Sequence, residues 1–183
     1  MVAGMLPALA GPDQALSLLV ALGAHDRLVR HHVLVAEAAT ELVDRLRSGL
    51  TDAFDRDLVL LGAALHDAGK IVHPRELQVP GHDHEAAGRA LLIERGVAPT
   101  VARFCVTHAA WADGACTLED LLVALADKLW KGARDEALEA RALHAIAVAT
   151  GRPAWAVFAT LDAILRLRAT RGAEGTRSAT AAS

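Results

Sequence analysis

The segment from Leu58 to Lys70, which reads Leu-Val-Leu-Leu-Gly-Ala-Ala-Leu-His-Asp-Ala-Gly-Lys, limits what this chain can fold into more than any other. An almost unbroken apolar run of helical length carries an imidazole, His66, and a carboxylate, Asp67, into the protein interior. Neither group is stable there unless something pairs with it or ligates it. A metal ion satisfies both at once, and a buried histidine hydrogen-bonded to a buried aspartate also satisfies them. Gly69 reads as the glycine that ends the helix, which puts His66 and Asp67 in its last turn, where adjacent side chains converge on one point. The rest of the chain decides between the two readings.

At 183 residues the chain is long enough for one domain with a full hydrophobic core and short for two. Apolar residues make up 53%, yet aromatics only 3%, with no tyrosine; a core built mainly from Ala and Leu favours helix packing. The expected fold is all-α, a single helical domain over residues 1–168. A formal net charge of -3 provides no strong basic field, which disfavours a polynucleotide partner. Cys105 and Cys116 show neither C-x-x-C spacing nor a disulfide framework. Met1 to Gly11 has no basic leader, and no apolar run reaches membrane-spanning length, so a soluble cytoplasmic protein is expected.

Pro12 and Asp13 open a short first helix that Gly23 closes. A long second helix runs from about Asp26 to Arg47, with Leu28, His31, Val35, Ala38, Leu42 and Leu46 on one face. His31 belongs to that stripe, whereas His32 is rotated about 100° away with Ala36 and Ala39 and is the weaker inward ligand. After a turn at residues 48–52, Asp52 is placed to cap the third helix, which carries the opening segment. Residues 71–83 fit no period and read as a loop walling a pocket.

Asp83 is placed to cap a fourth helix in which His84, Gly88, Leu91 and Leu92 share a face. Pro99 opens a fifth helix that ends at His108 on its buried side. Thr117, Glu119 and Asp120 mark the start of a sixth, whose apolar run again ends in a carboxylate, Asp127. Two further helices, broken at Gly151-Arg152-Pro153, follow from about Ala133; His144 there reads as surface, and residues 169–183 read as a disordered tail.

Five helices thus each offer an inward His or Asp: His31, the pair His66 and Asp67, His84, His108 and Asp127. One metal centre stabilises the whole set, where separate explanations have to hold six times over. Imidazole and carboxylate without thiolate suits iron, manganese, cobalt or zinc in an open, catalytic site. Six ligands exceed what a single ion with an open position needs.

The order H, HD, H, H, D over residues 26–131 resembles the HD-domain superfamily of metal-dependent phosphohydrolases. His31-His32-Val33-Leu34-Val35-Ala36 is similar to the family's first-histidine helix, whose ligand precedes a Val-Ala pair by four residues, which selects His31. Leu65-His66-Asp67-Ala68-Gly69-Lys70 is close to the family signature, and Ala126-Asp127-Lys128-Leu129 resembles its final aspartate. The resemblance implies a helical HD bundle and, through His84 and His108, the subset with two metal ions: iron or manganese first, then cobalt, nickel or zinc. The segment from His84 to Asp127 is most similar to HD-type hydrolases that cut diadenosine tetraphosphate symmetrically. The cyclic-di-GMP branch is disfavoured because its G-Y-P element is replaced by residues 109–114, and the (p)ppGpp branch because Gly69-Lys70 stands where an acidic pair belongs.

What the resemblance implies is hydrolysis of a phosphoanhydride or phosphoester in a small, nucleotide-type substrate, with Asp67 bridging two ions that activate a water. Lys70 is placed to stabilise charge on the phosphoryl group, or simply to satisfy the helix dipole. Arg75, Lys128 and Lys131 are candidate phosphate contacts, and Trp111 and Trp130 candidate base-stacking residues. Two rivals use the same ligands: a di-iron HD-type oxygenase acting on a phosphonate or polyol, and a nucleotide-binding module without turnover. Lys70 and the absence of tyrosine lean towards hydrolysis, and no ligand is missing as a pure binding role would suggest. Oligomerisation stays open.

Overall fold

Helix α3 (Arg56–Leu65) is apolar on both sides, and two clusters of buried residues form against it. Val59, Leu60 and Ala63 join a main core with α2 (Asp26–Gly49) and α7 (Leu118–Leu129), centred on Leu42, Leu46, Phe104, Leu122 and Leu125. Leu61, Ala64 and Leu65 face the other way, onto Ala15 and Leu19 of α1 (Pro12–Ala21) and onto Leu92, Val101 and Cys105. A helix buried on both faces has to be apolar all round, which accounts for the unbroken run in the sequence.

The protein is described by a computed structural model over residues 9–112 and 115–166, which contains helices and turns and, among the described residues, no strand. Beyond α3 come α4 (Asp83–Glu94), α5 (Pro99–Ala102), α6 (Phe104–Thr107), α7, α8 (Glu136–Thr150) and α9, over residues 154–166. The all-α architecture expected from composition is the one observed. α8 ends at the expected break, where Gly151, at φ 65°, takes the left-handed conformation. His144 is exposed, as expected. The tail expected at 169–183 lies outside the described residues.

Several boundaries differ from the sequence expectation. The cap of α3 is Asp55, whose carboxylate accepts from the Leu58 N–H at 3.0 Å, and not Asp52; residues 51–54 are taken up by a turn in which the Thr51 hydroxyl accepts from the Ala53 N–H. The expected fifth helix is two short ones meeting at Arg103, whose backbone stays helical (φ -58°, ψ -30°), so His108 still lies at its end. The loop after α3 holds two 3-10 turns, Ala68–Ile71 and Pro74–Leu77. α4 begins with Asp83 inside the helix and His82 at the cap, and its free N–H groups are met from outside by Glu76.

Gly69 does not end α3. That helix stops at Leu65, and Gly69 sits in the first 3-10 turn without a positive φ. A Cβ on Gly69 would stand 1.8 Å from the His84 carbonyl oxygen, and one on Gly88 would stand 2.7 Å from the Gly69 nitrogen. The two glycines let the turn and α4 touch backbone to backbone, and that contact sets His84 beside Asp67.

Candidate metal centre

The six residues singled out as ligands come from α2, the end of α3, α4, the end of α6 and α7, and they converge. His31 Nε2 lies 3.2 Å from His66 Nε2 and 3.3 Å from Asp67 Oδ2. On the other side of the same carboxylate, Oδ1 lies 3.1 Å from His84 Nε2 and 3.6 Å from His108 Nε2. Two donor groups result, His31–His66–Asp67 and Asp67–His84–His108, each with its ligand atoms within 4.8 Å of one another. Asp127 Oδ1 stands by the first group, 3.6 Å from His31 Nε2 and 3.7 Å from His66 Nε2.

The backbone decides which nitrogen each imidazole presents. His66 and His108 donate from Nδ1 to the carbonyls of Ala63 and Phe104, at 3.0 and 2.8 Å, and His84 Nδ1 is held by the Glu76 carboxylate. With Nδ1 bearing the proton, Nε2 turns a lone pair inward in all three, the tautomer a ligating histidine needs. Asp67 Oδ1 is buried and makes no well-directed hydrogen bond although two such nitrogens flank it. Lone pairs facing lone pairs around a buried carboxylate oxygen are stable only with cations between them, so the donor set fits divalent metal ions.

Charge follows the same pattern. Burial lowers the pKa of His31, and it lowers that of His108 to about 4, with neighbouring His66 adding to the effect. Burial also works against charge on His66 and His84, but the carboxylates beside them, Asp67 for both, raise the two imidazoles above the ordinary value. Burial disfavours the anions of Asp67 and Asp127, yet the surrounding imidazoles hold both well below the usual carboxylate range. The site therefore joins two carboxylates held in their ionised form to two imidazoles, His31 and His108, whose neutral, ligating form burial favours.

The relation of the two adjacent histidines differs from the expectation. His32 is the fully buried one, against α3, with Nδ1 3.3 Å from the Ala63 carbonyl and its ring 4.9 Å from that of His66. His31 keeps 15% of its side chain exposed because it faces a cavity of about 470 Å³. A ligand has to face the site, and the site is open to solvent. Burial and ligation therefore point to different faces of α2.

Lys70 Nζ lies 2.5 Å from Asp67 Oδ2, and Lys131 Nζ lies 3.6 Å from Asp127 Oδ1; both line the cavity. Arg75, Lys128 and Trp111, expected at the substrate, do not line it. Arg75 is exposed in the second 3-10 turn, Trp111 packs against the main core, and Lys128 is turned about 100° from Asp127 around α7. Trp130, the other candidate base-stacking residue, donates from Nε1 to Asp127 Oδ1 at 3.3 Å and meets His31 edge-on at 5.2 Å. Glu76, Arg27 and Arg30 border the cavity and escaped the sequence reading. For the arginines a signal existed, since Arg27 is one turn before His31; for Glu76, eight residues from His84, none did.

A larger cavity, about 590 Å³, lies between α8 and α9, lined by Leu143, Phe158, Leu161 and the Arg134–Asp162 ion pair. It contains none of the donor groups. Cys105 is buried, with its thiol pKa pushed up to about 12 by burial, and is chemically quiet.

The profile of the HD domain matches residues 28–131, over half of the chain and a span that includes all six converging residues. The chain belongs to the HD-domain family. HD domains bind divalent metal ions, and the family consists mostly of metal-dependent hydrolases, with phosphohydrolase chemistry as its general activity. Comparisons with curated proteins and with solved structures gave no match. No helix among the described residues is long and apolar enough to cross a membrane.

Proposed function

We propose that this protein is a binuclear phosphohydrolase that cleaves a phosphoanhydride or phosphoester bond in a small nucleotide-type substrate. The observation that carries the reading is the division of Asp67, with Oδ2 turned to His31 and His66 and Oδ1 to His84 and His108. His31, His66 and Asp127 would hold one ion, His84 and His108 the other, and Asp67 both; iron or manganese suits the donors best, with cobalt, nickel or zinc also compatible. Such ions, when bound, would supply Lewis acidity and activate a water for attack on phosphorus.

The chain's own residues orient and compensate. Glu76 fixes His84, and the Ala63 and Phe104 carbonyls fix His66 and His108, so the lone pairs are set before substrate arrives. Lys70, against Asp67, stabilises negative charge growing on a phosphoryl oxygen, and Lys131 does so from the Asp127 side. Trp130 keeps Asp127 aimed inward through its indole N–H. We rank dinucleoside polyphosphates first among substrates, on the resemblance in sequence of the segment from His84 to Asp127 to symmetrical diadenosine tetraphosphate hydrolases. Action in the cytoplasm, without membrane or polynucleotide partners, is part of the same proposal.

A substrate panel tests it: nucleoside mono-, di- and triphosphates, dinucleoside polyphosphates and cyclic dinucleotides, each with Fe(II), Mn(II) or Co(II), scored by chromatography beside Asp67→Ala. Turnover of one class that disappears in the variant supports the proposal. No turnover, with oxygen uptake on a phosphonate or polyol, replaces it with the oxygenase. No turnover of any kind with ligand bound replaces it with a binding role.

A further inference from the structure

Four cations border the 470 Å³ cavity: Arg27, Arg30, Lys70 and Lys131. The two lysines are engaged, each against one of the carboxylates that face the histidines. The two arginines are not: both are exposed, and neither makes an ion pair among the described residues. They stand on α2 with His31 and Leu34, and all four line the cavity, so α2 presents one stripe that runs from the ligand histidine towards the helix N-terminus. Arg30 adjoins His31, and Arg27 lies about 4.5 Å further out along the axis. The amino end of α2 adds the positive end of a 24-residue helix to the same direction.

We propose that Arg27 and Arg30 form a second anion subsite, selecting substrates in which the phosphoryl group at the histidine cluster continues into a chain of further phosphoryl groups. The subsite rests on the functional reading above and narrows it, because a monoester has nothing to offer these arginines. A guanidinium fork matches two phosphate oxygens, and two forks one turn apart match successive groups of an extended chain. The second 3-10 turn and α4 line the same cavity with Glu76, held by His84, and with Glu85, held by His82, and so bring carboxylates where α2 brings guanidinium groups. Of the Lys and Arg side chains that line the cavity, those of α2 are the ones without an ion pair among the described residues.

The test is calorimetric binding of orthophosphate and of inorganic tripolyphosphate to the Mn(II)-loaded full chain, for the wild type, Arg27→Ala/Arg30→Ala and, as a control, Arg95→Ala, an exposed arginine at the end of α4 that does not line the cavity. Removing both forks is expected to weaken tripolyphosphate by about tenfold or more while changing orthophosphate by less than about threefold, with the control unaffected. The same loss with an adenosine polyphosphate shows that the arginines read the chain and not the nucleoside. Equal losses for both anions, no loss, or no binding of tripolyphosphate would overturn the subsite. Tripolyphosphate binding that depends on the arginines, with no turnover of any substrate, would sustain the subsite and sink the hydrolase reading alone.

Discussion

Replacing Gly69 by alanine strikes the contact on which the geometry of the centre depends. The added methyl would stand 1.8 Å from the His84 carbonyl oxygen and 2.6 Å from the Gly88 nitrogen. Both are backbone atoms, so no side chain can swing aside, and the turn and α4 have to separate by roughly 1.2 Å before the methyl fits at all. Overpacking a tight core costs about 1–3 kcal/mol, and a rigid backbone obstacle puts Gly69→Ala at the upper end, about 3 kcal/mol. Gly88→Ala meets the Gly69 nitrogen at 2.7 Å and the softer Cys105 sulfur at 3.0 Å and is expected to cost about 2 kcal/mol. Both methyls then occupy the same opened gap, so the double variant should be less costly than the sum by about 1 kcal/mol. Denaturant titration of the four proteins in chelator keeps metal linkage out of the comparison. A Gly69→Ala change under about 0.5 kcal/mol, or strict additivity, would refute the backbone contact.

Other residues make independent demands. Glu76→Ala leaves the Nδ1 side of His84 unheld and should weaken binding of the metal ion on that side by about 10–100-fold in a competition titration with a chromogenic chelator; unchanged affinity contradicts the role given to Glu76. Phe104, fully buried and packed on Gly62, should cost about 3–5 kcal/mol when replaced by alanine, read from urea midpoints. Asp120 is buried, which opposes its ionisation, but the Thr107 hydroxyl, the Thr117 N–H and Arg103 hold its pKa below the ordinary value. Its contribution is therefore present above the unfolded carboxylate pKa and lost as pH falls through the lower folded value. Asp120→Asn should be less stable than the wild type near neutrality, and the gap should close below about pH 4; a gap independent of pH would argue against the assignment.

The pattern of helices was legible because each apolar stripe had one face to bury, and the six donors were legible because ionisable groups recur at the ends of those stripes. What escaped depended on tertiary approach. Gly69 looked like a helix terminator, and only the position of α4 shows that it is a contact point. His31 and His32 traded burial because α3 covers the side of α2 that a simple wheel leaves for the surface. Asp52 and Asp83 both look like caps, but a turn over residues 51–54 moves the start of α3 on to Asp55, while α4 starts one residue early, at His82, with Glu76 accepting from its first N–H groups. Arg75, Lys128 and Trp111 have the right chemistry for a phosphate or a base, but chemistry does not fix direction: Arg75 and Trp111 lie in turns that carry no period, and Lys128 is on another face of α7 from Asp127. Glu76 comes to His84 across a loop, a relation without any periodic mark.

The most direct test of the account is the number of metal ions on the chain. Wild-type protein purified without chelator and reconstituted with Fe(II) or Mn(II) should hold about two ions per chain by elemental analysis, because Asp67 serves two donor groups. Asp67→Ala should retain neither, while remaining helical by circular dichroism. Less than about half an ion on both proteins, or equal loading of the two, would contradict a binuclear centre built on Asp67.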